Sequence, residues 1–460
     1  MRGLLAIALV ALLSLQAIAK TDTPALADRL EKAIPARMMA DGVQGVVVVL
    51  IADGAPVWTK AFGLADPGTG RAMTEDALFR VESISKPVTA WGAMYLVEAG
   101  RLDLDRPMTD CLQSWQPPEG TPRLTARQVL THTAGIGLGD FAARFAPDAP
   151  RPRLADHLAQ DFRMIAAPGT GFSYSDTGYN LLELLIEDCS GEDFAGFMRR
   201  DILQPLGMRS ASFDWTGTEM PVGHDLRGRP VAPYIYPGRG SGGLFATAED
   251  VAHFAAAGMA GAQQDVLSPH GIAALHRPYV AVTGLFGIVA DGYGLGHFTE
   301  TLPDRRAALW HGGQGYGWMS HMHLVPESGD GIVILSNSQR AWPLFAMILR
   351  DWSGSLGVAP VGMARVLWAE TGARIAMVLL LLVTVLALWR VIAGRPWQRT
   401  LRIGAAVVGG TLILWPIWAG MQDYLFLFSI LPGLWPLLAA VSALAGLSLC
   451  AVAVFPKRRT

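Results

Sequence analysis

Ser83 and Lys86 stand three residues apart in Phe79-Arg80-Val81-Glu82-Ser83-Ile84-Ser85-Lys86, at the expected start of a helix. Positions i and i+3 share a helix face, so the Lys86 nitrogen can reach the Ser83 hydroxyl. A serine is a poor nucleophile until something takes its proton, and a desolvated lysine with a lowered pKa can take it. The spacing alone is weak, because Ser-x-x-Lys recurs by chance on ordinary helix surfaces. Histidines offer other chemistry. His132 lies in a Thr-His-Thr-Ala-Gly turn, where a structural hydrogen-bonding role is favoured over catalysis. His321 and His323 share one face of a strand, but no cysteine or carboxylate stands at ligand spacing, so they do not read as a zinc site.

The elements that must position these groups follow from periodicity. Pro24 to Ala40 reads as a helix, with Leu26, Leu30, Ala33 and Ile34 on one stripe. Val43 to Ile51 is a β-branched run, Asp53-Gly54 a turn, and Val57 to Gly63 a returning strand. Ser85 to Gly100 is a helix ended by Gly100. Further helices are expected at Thr125 to Thr131, Thr177 to Asp188, Phe194 to Leu203 and Ala248 to Gly258. Strand signals resume at Ala307 to Trp310, Trp318 to Val325 and Gly331 to Asn337, followed by a helix from Arg340 to Trp352. Strands at both sequence ends predict an α+β fold. One antiparallel sheet is built from the two ends of the domain and flanked by helices, with a mostly helical inserted region.

Four further stretches stand beside the Ser83 segment: Leu130-Thr131-His132-Thr133-Ala134-Gly135, the run from Pro168 to Tyr179 containing Tyr174-Ser175-Asp176, Gln204-Pro205-Leu206-Gly207-Met208, and Trp310-His311-Gly312-Gly313-Gln314-Gly315-Tyr316-Gly317. In this order they closely resemble the serine β-lactamase and penicillin-binding-protein superfamily. The branch they look most like holds class C β-lactamases, DD-peptidases, esterases and D-amino-acid amidases. The resemblance runs from about Ala25 to Trp352. It implies Ser83 as nucleophile, Lys86 as base, and Tyr174 as the tyrosine that shuttles the proton to the leaving group. Asp176 falls where the family has asparagine, and His311-Gly312-Gly313 where it has Lys-Thr-Gly. Gln314 would lend a backbone N–H that completes an oxyanion hole with that of Ser83, and Gly312 and Gly313 would let the strand approach the substrate. Asp176, His311, Gly313 and Gln314 are thus the expected substrate-binding residues. No cofactor or metal is implied.

The rest of the composition concerns location. A net charge of -2 gives no footprint for nucleic acid. With 51% hydrophobic and 17% charged residues, the chain is too apolar for a wholly soluble protein, and the excess lies at its ends. The apolar run from Gly3 to about Ile18, with Ala17-Ile18-Ala19 supplying a small-x-small pattern before Lys20, reads as a signal peptide over residues 1–19, with an uncleaved anchor as the alternative. The hydrolase-like domain spans 20–356, a linker 357–373, and a three-helix transmembrane region 374–460. Its apolar stretches are Ile375 to Ala393, Ile403 to Met421, and Leu425 to Phe455, the last interrupted by Pro432 and Pro436. Arg390, Arg395, Arg399 and Arg402 cluster around the first connection, and Lys457, Arg458 and Arg459 close the chain. The positive-inside rule puts both in the cytoplasm and the hydrolase outside. Cys111 and Cys189 could pair there; the sequence leaves this open.

The expected protein is a serine hydrolase of the inner (cytoplasmic) membrane, with its catalytic domain in the periplasm, working through an acyl-enzyme. Its partners are membrane lipid and a small-molecule, peptide or ester substrate of the cell envelope. Asp176 removes an amide donor, and His311 supplies a smaller, titratable charge than lysine, so peptide, amide or ester bonds are preferred to β-lactams. A catalytically weak sensor or scaffold and a true β-lactamase are the alternatives.

Overall fold

The structure, a computed structural model, describes residues 22–455 apart from 141, 285, 395, 396 and 422–425. The expected leader and the basic C-terminal tail lie outside the described residues.

Helix α1 (Thr23–Asp41) starts where the Asp22 carboxylate accepts from the Ala25 amide. Strands β1 (Gly45–Ala52) and β2 (Ala55–Asp66) follow as an antiparallel hairpin. Asp53 and Gly54 both take positive φ at its tip, the backbone that a two-residue hairpin turn requires. β3 (Arg71–Ala72) completes the N-terminal part. The C-terminal part supplies β4 (Val280–Ala281), β5 (Gly292–Tyr293), β6 (Phe298–Thr301), β7 (Ala307–Gln314), β8 (Met319–Val325) and β9 (Asp330–Ser336). Among the described residues they form one nine-stranded sheet in the order β3-β2-β1-β9-β8-β7-β6-β5-β4, antiparallel throughout. The expected sheet from both ends is therefore present. β4 to β6 and the extension of β7 past Trp310 are additions: Gly312 and Gly313 weaken the strand pattern, and tertiary pairing overrides it.

β1 is buried along its whole length because both faces of the sheet are covered. Val46, Val48 and Leu50 pack with α1 and with α5 (Trp342–Ser355), whereas Val47, Val49 and Ile51 face the helical insertion. That insertion contains α2 (Ser85–Glu98), α3 (Asp176–Ser190) and α4 (Ala248–Ala257). Cys111 and Cys189, with Cα atoms 5.7 Å apart, form a disulfide within it.

Three C-terminal helices are long and apolar enough to cross a membrane: α6 (Val366–Ile392), α7 (Arg399–Gly420) and α8 (Trp435–Val454). At 27 residues α6 spans about 40 Å. It begins before Ile375, so residues 366–373, expected as linker, are helical. Pro432 lies in the break before α8, and Pro436 in its first turn, where the missing N–H costs nothing. α7 and α8 cross at Gly409 and Gly446, where a Cβ on either would come within 2.7 Å of the other's carbonyl oxygen. Small residues at the crossing allow that approach. A little-exposed ion pair of 2.8 Å joins Arg37 of α1 to Glu370 of α6.

Candidate active site

The nucleophile turn is a strained piece of backbone. Phe79–Arg80 pairs with Phe245–Ala246, and one 3-10 turn, Glu82–Ile84, leads directly into α2. Glu82 takes a φ of 50°, unusual for a residue with a side chain. Its buried carboxylate is held by Arg80 Nε at 3.1 Å, Tyr236 OH at 2.9 Å and Tyr234 OH at 3.2 Å. Ser85 Oγ donates to the Glu82 carbonyl and accepts from the Leu244 amide. Strain over-determined in this way marks a constrained position.

Ser83 is left at the edge of a cleft of about 250 Å³, lined also by Asp176, Asn180, Tyr236, Gln314 and Tyr316. Lys86, one turn into α2, is fully buried. Its Nζ donates to Ser83 Oγ at 3.2 Å, to Asp176 Oδ1 at 2.5 Å and to the Ser241 carbonyl at 2.8 Å. These three acceptors match the three N–H donors of an ammonium. The same Nζ lies 4.8 Å from the centre of the Tyr174 ring. Burial, then the neighbouring Asp176 charge, raises the Tyr174 phenol well above its usual value, and hydrogen bonding to Ser83 works the other way. Tyr174 thus rests as a neutral phenol. A larger, open depression near Arg101 and Arg277 contains none of these groups.

Tyr174 and Asp176 are set by the start of α3. Ser175 is its N-cap, accepting from Gly178 N at 2.9 Å. His132 Nδ1 accepts from Ser175 N at 3.1 Å, and its ring lies 4.4 Å from that of Tyr174. Burial, then the Lys86 charge, pushes the His132 pKa well below the imidazole value, so it is a neutral positioning group.

On the other wall, β7 passes close to the nucleophile turn. A Cβ at Gly313 would meet Val81 O at 2.5 Å and Glu82 Cβ at 2.9 Å, which is why a side chain is excluded there. Gln314 lines the cleft, and its side-chain oxygen accepts from Trp342 Nε1 at 3.0 Å. His311 is fully buried. Its Nε2 lies 3.2 Å from Tyr293 OH and its Nδ1 2.9 Å from the Gly312 carbonyl. Burial, reinforced by the Lys86 charge, holds its pKa well below 6.5. Burial thus works against the cationic His311 expected from the sequence and favours a neutral ring beside Tyr174 and Tyr293.

The family model described as Beta-lactamase matches residues 28–350, about seven-tenths of the chain. The chain belongs to the beta-lactamase family. Esterase EstB of Burkholderia gladioli is 27% identical over 373 residues, covering 69% of this chain and 92% of that protein. Penicillin-binding protein 4 of Amycolatopsis lactamdurans is 29% identical over 339 residues, covering 68% and 86%. Among solved structures, the octameric penicillin-binding protein homologue from Pyrococcus abyssi is 27% identical, with a TM-score of 0.62 over 68% of this chain and 73% of its own.

Within this beta-lactamase-family domain, the structure brings together Ser83, Lys86, Tyr174 and Asp176, with the backbone of Gly313 and Gln314 opposite. Sequence reading missed Ser241, whose carbonyl holds Lys86, and the Arg80–Glu82–Tyr234–Tyr236 network under Ser83. Arg80 and Glu82 stood in the quoted segment, but nothing in the spacing announced their tyrosine partners some 150 residues away.

The acidic Asp176 is testable. Its carboxylate accepts from Lys86 Nζ at 2.5 Å. Asp176→Asn keeps an acceptor for Lys86 and adds an amide donor facing the cleft. We expect kcat/KM for an amide relative to an ester to rise about tenfold, one hydrogen bond's discrimination. An unchanged ratio would show that Asp176 takes no part in telling amide from ester.

Proposed function

We propose that this protein is a membrane-anchored serine hydrolase facing the cell exterior or periplasm, cleaving ester or amide bonds through an acyl-enzyme on Ser83. The observation that carries this reading is the Lys86 Nζ, 3.2 Å from Ser83 Oγ and 2.5 Å from Asp176. Passage of a proton from Lys86 to Asp176 leaves an amine beside the serine hydroxyl. Ser83 Oγ then attacks the carbonyl carbon while its proton goes to Lys86. The bond to the alcohol or amine breaks, and that group departs with a proton relayed through Tyr174. Water repeats the sequence to release the acid, with no cofactor. The Ser83 and Gln314 amides are the natural oxyanion donors.

Export is supported by two features. A disulfide within the domain suits an oxidising compartment. Arg402 donates to the Ala453 carbonyl, so the arginine-rich connection and the end of α8 share one end of the helical bundle, away from the Arg37–Glu370 contact. A phosphatase reporter fused after Gly357 should be active in the periplasm, and one fused after Thr460 inactive. The reverse pattern would refute the orientation.

The saturation of Lys86 by three acceptors favours a second reading, a penicillin-binding sensor that acylates without turning over. A panel of nitrophenyl esters, D-amino-acid amides and a β-lactam separates the two: multiple turnovers support the hydrolase, and a single-turnover burst the sensor.

A further inference from the structure

The catalytic cleft continues toward the membrane helices. Tyr316 and Gln339 line it, and they also line a second cavity of about 590 Å³. The far wall of that cavity is Phe428, Pro432, Trp435 and Pro436, the entry to α8. Its volume suits one small ligand. Aromatic side chains gather there, with Phe428 4.3 Å and Trp415 6.2 Å from Trp435 between ring centres, as at the water–lipid boundary of a span. Ser429 Oγ donates to Gln314 Oε1 at 3.2 Å, so this membrane entry touches the residue expected to supply an oxyanion donor.

The path carries charge of both signs: of its carboxylates, Glu82, Asp176 and Asp225 are paired with Arg80, Lys86 and Arg229, Asp140 and Asp161 lie in the catalytic cleft, and two arginines stand around Tyr316. Arg144 lines the catalytic cleft, stacked 4.1 Å over the Tyr316 ring, and Arg227 lines the second cavity. Both are exposed, and among the described residues neither forms an ion pair. The neighbouring Arg229 differs, being paired with Asp225 at 2.7 Å. A soluble peptide has no use for an apolar wall made by a membrane helix, and an uncharged lipid none for two unpaired guanidinium groups.

We propose that the substrate is an anionic membrane amphiphile. Its chain lies against Phe428 and Trp435, its negative group meets Arg144 and Arg227, and its scissile carbonyl reaches Ser83 past Tyr316. This rests on the hydrolase reading above, and the chemistry is the same: acyl transfer to Ser83, departure of the protonated alcohol or amine, and hydrolysis by water.

The test uses the full chain in nanodiscs of zwitterionic lipid with three esters: nitrophenyl butyrate, monopalmitoylglycerol and palmitoyl lysophosphatidylglycerol. Wild type should hydrolyse the anionic long-chain ester with kcat/KM about tenfold above the neutral one, the effect of one to two basic contacts. Arg144→Glu/Arg227→Glu should abolish that preference. Phe428→Ala should lower both long-chain esters about tenfold relative to nitrophenyl butyrate. Fluorophosphonate labelling of Ser83 in each variant reports an intact site. Equal wild-type rates on the anionic and neutral esters, or ratios that the variants leave unchanged, would overturn the proposal. So would labelling and butyrate turnover without long-chain hydrolysis, with the hydrolase reading intact. No labelling and no turnover of any ester would instead overturn the hydrolase itself.

Discussion

Ser83→Ala should abolish fluorophosphonate labelling and bring turnover of every ester or amide substrate to background, without changing thermal stability. The separation of chemistry from fold follows from the contacts. Losing Ser83 Oγ takes away one acceptor of Lys86, but Asp176 and the Ser241 carbonyl still hold the ammonium. The alanine methyl fits where a hydroxymethyl stood. Lys86→Ala is a different experiment. It should cost at least about two orders of magnitude in kcat, the scale of general-base catalysis. It also leaves the Asp176 carboxylate, 22% exposed at the cleft, without its ion-pair partner, which should lower stability. Its activity must therefore be compared at a temperature where circular dichroism shows it folded. Residual labelling of Ser83→Ala, or a folded Lys86→Ala with wild-type kcat, would move the chemistry to other residues.

Acidification below about pH 6.5 should destabilise the hydrolase domain, and more steeply below about pH 4.5. Six histidines are pushed down, first of all by burial: His276 to about 4, His297 and His321 to about 3, and His132, His311 and His323 well below the ordinary value. Unfolded, each titrates near 6.5. Between that pH and its folded value, only the unfolded chain takes the proton, so stability falls as pH falls. Four carboxyls oppose this. Burial raises Asp41 to about 6, Glu183 and Glu300 to about 7, and Glu187 by less. The folded state keeps protons there that the unfolded chain has shed, which adds stability as pH falls toward about 4.5, and nothing further below it. Each unmatched histidine then costs about 1.4 kcal/mol per pH unit. Tryptophan fluorescence melts of the full chain from neutral pH downward give the curve. A Tm that stays level or rises would show that these rings are protonated or solvated in the folded protein.

The parts of this molecule that could be read from sequence are those whose cause is local. The β1–β2 hairpin announces itself by a β-branched run and Asp53-Gly54, and α2 by periodicity and Gly100. The approach of Lys86 to Ser83 depends only on a 3-10 turn and the first turn of the helix it leads into. What escaped was set by long-range packing. β4 and β5 have two residues each and exist because they complete a sheet edge. His311 looks like a cation in a lysine's place, and it is its burial beside Tyr293 and Tyr174, with the Lys86 charge nearby, that pushes it toward the neutral form. Ser241 contributes a carbonyl, which any residue type carries, so no pattern could have pointed to it.

The position of β1 also dictates a timetable. It pairs with β9 from Val46↔Ser336 to Ile51↔Gly331, so the second-made half of its ladder arrives roughly 280 residues later. At about 5–20 residues per second, the ribosome takes about 15–60 s to make them. For that interval the most apolar strand of the domain has one open edge, a template for wrong pairing. Slow translation lengthens that interval and should lower the yield of folded protein.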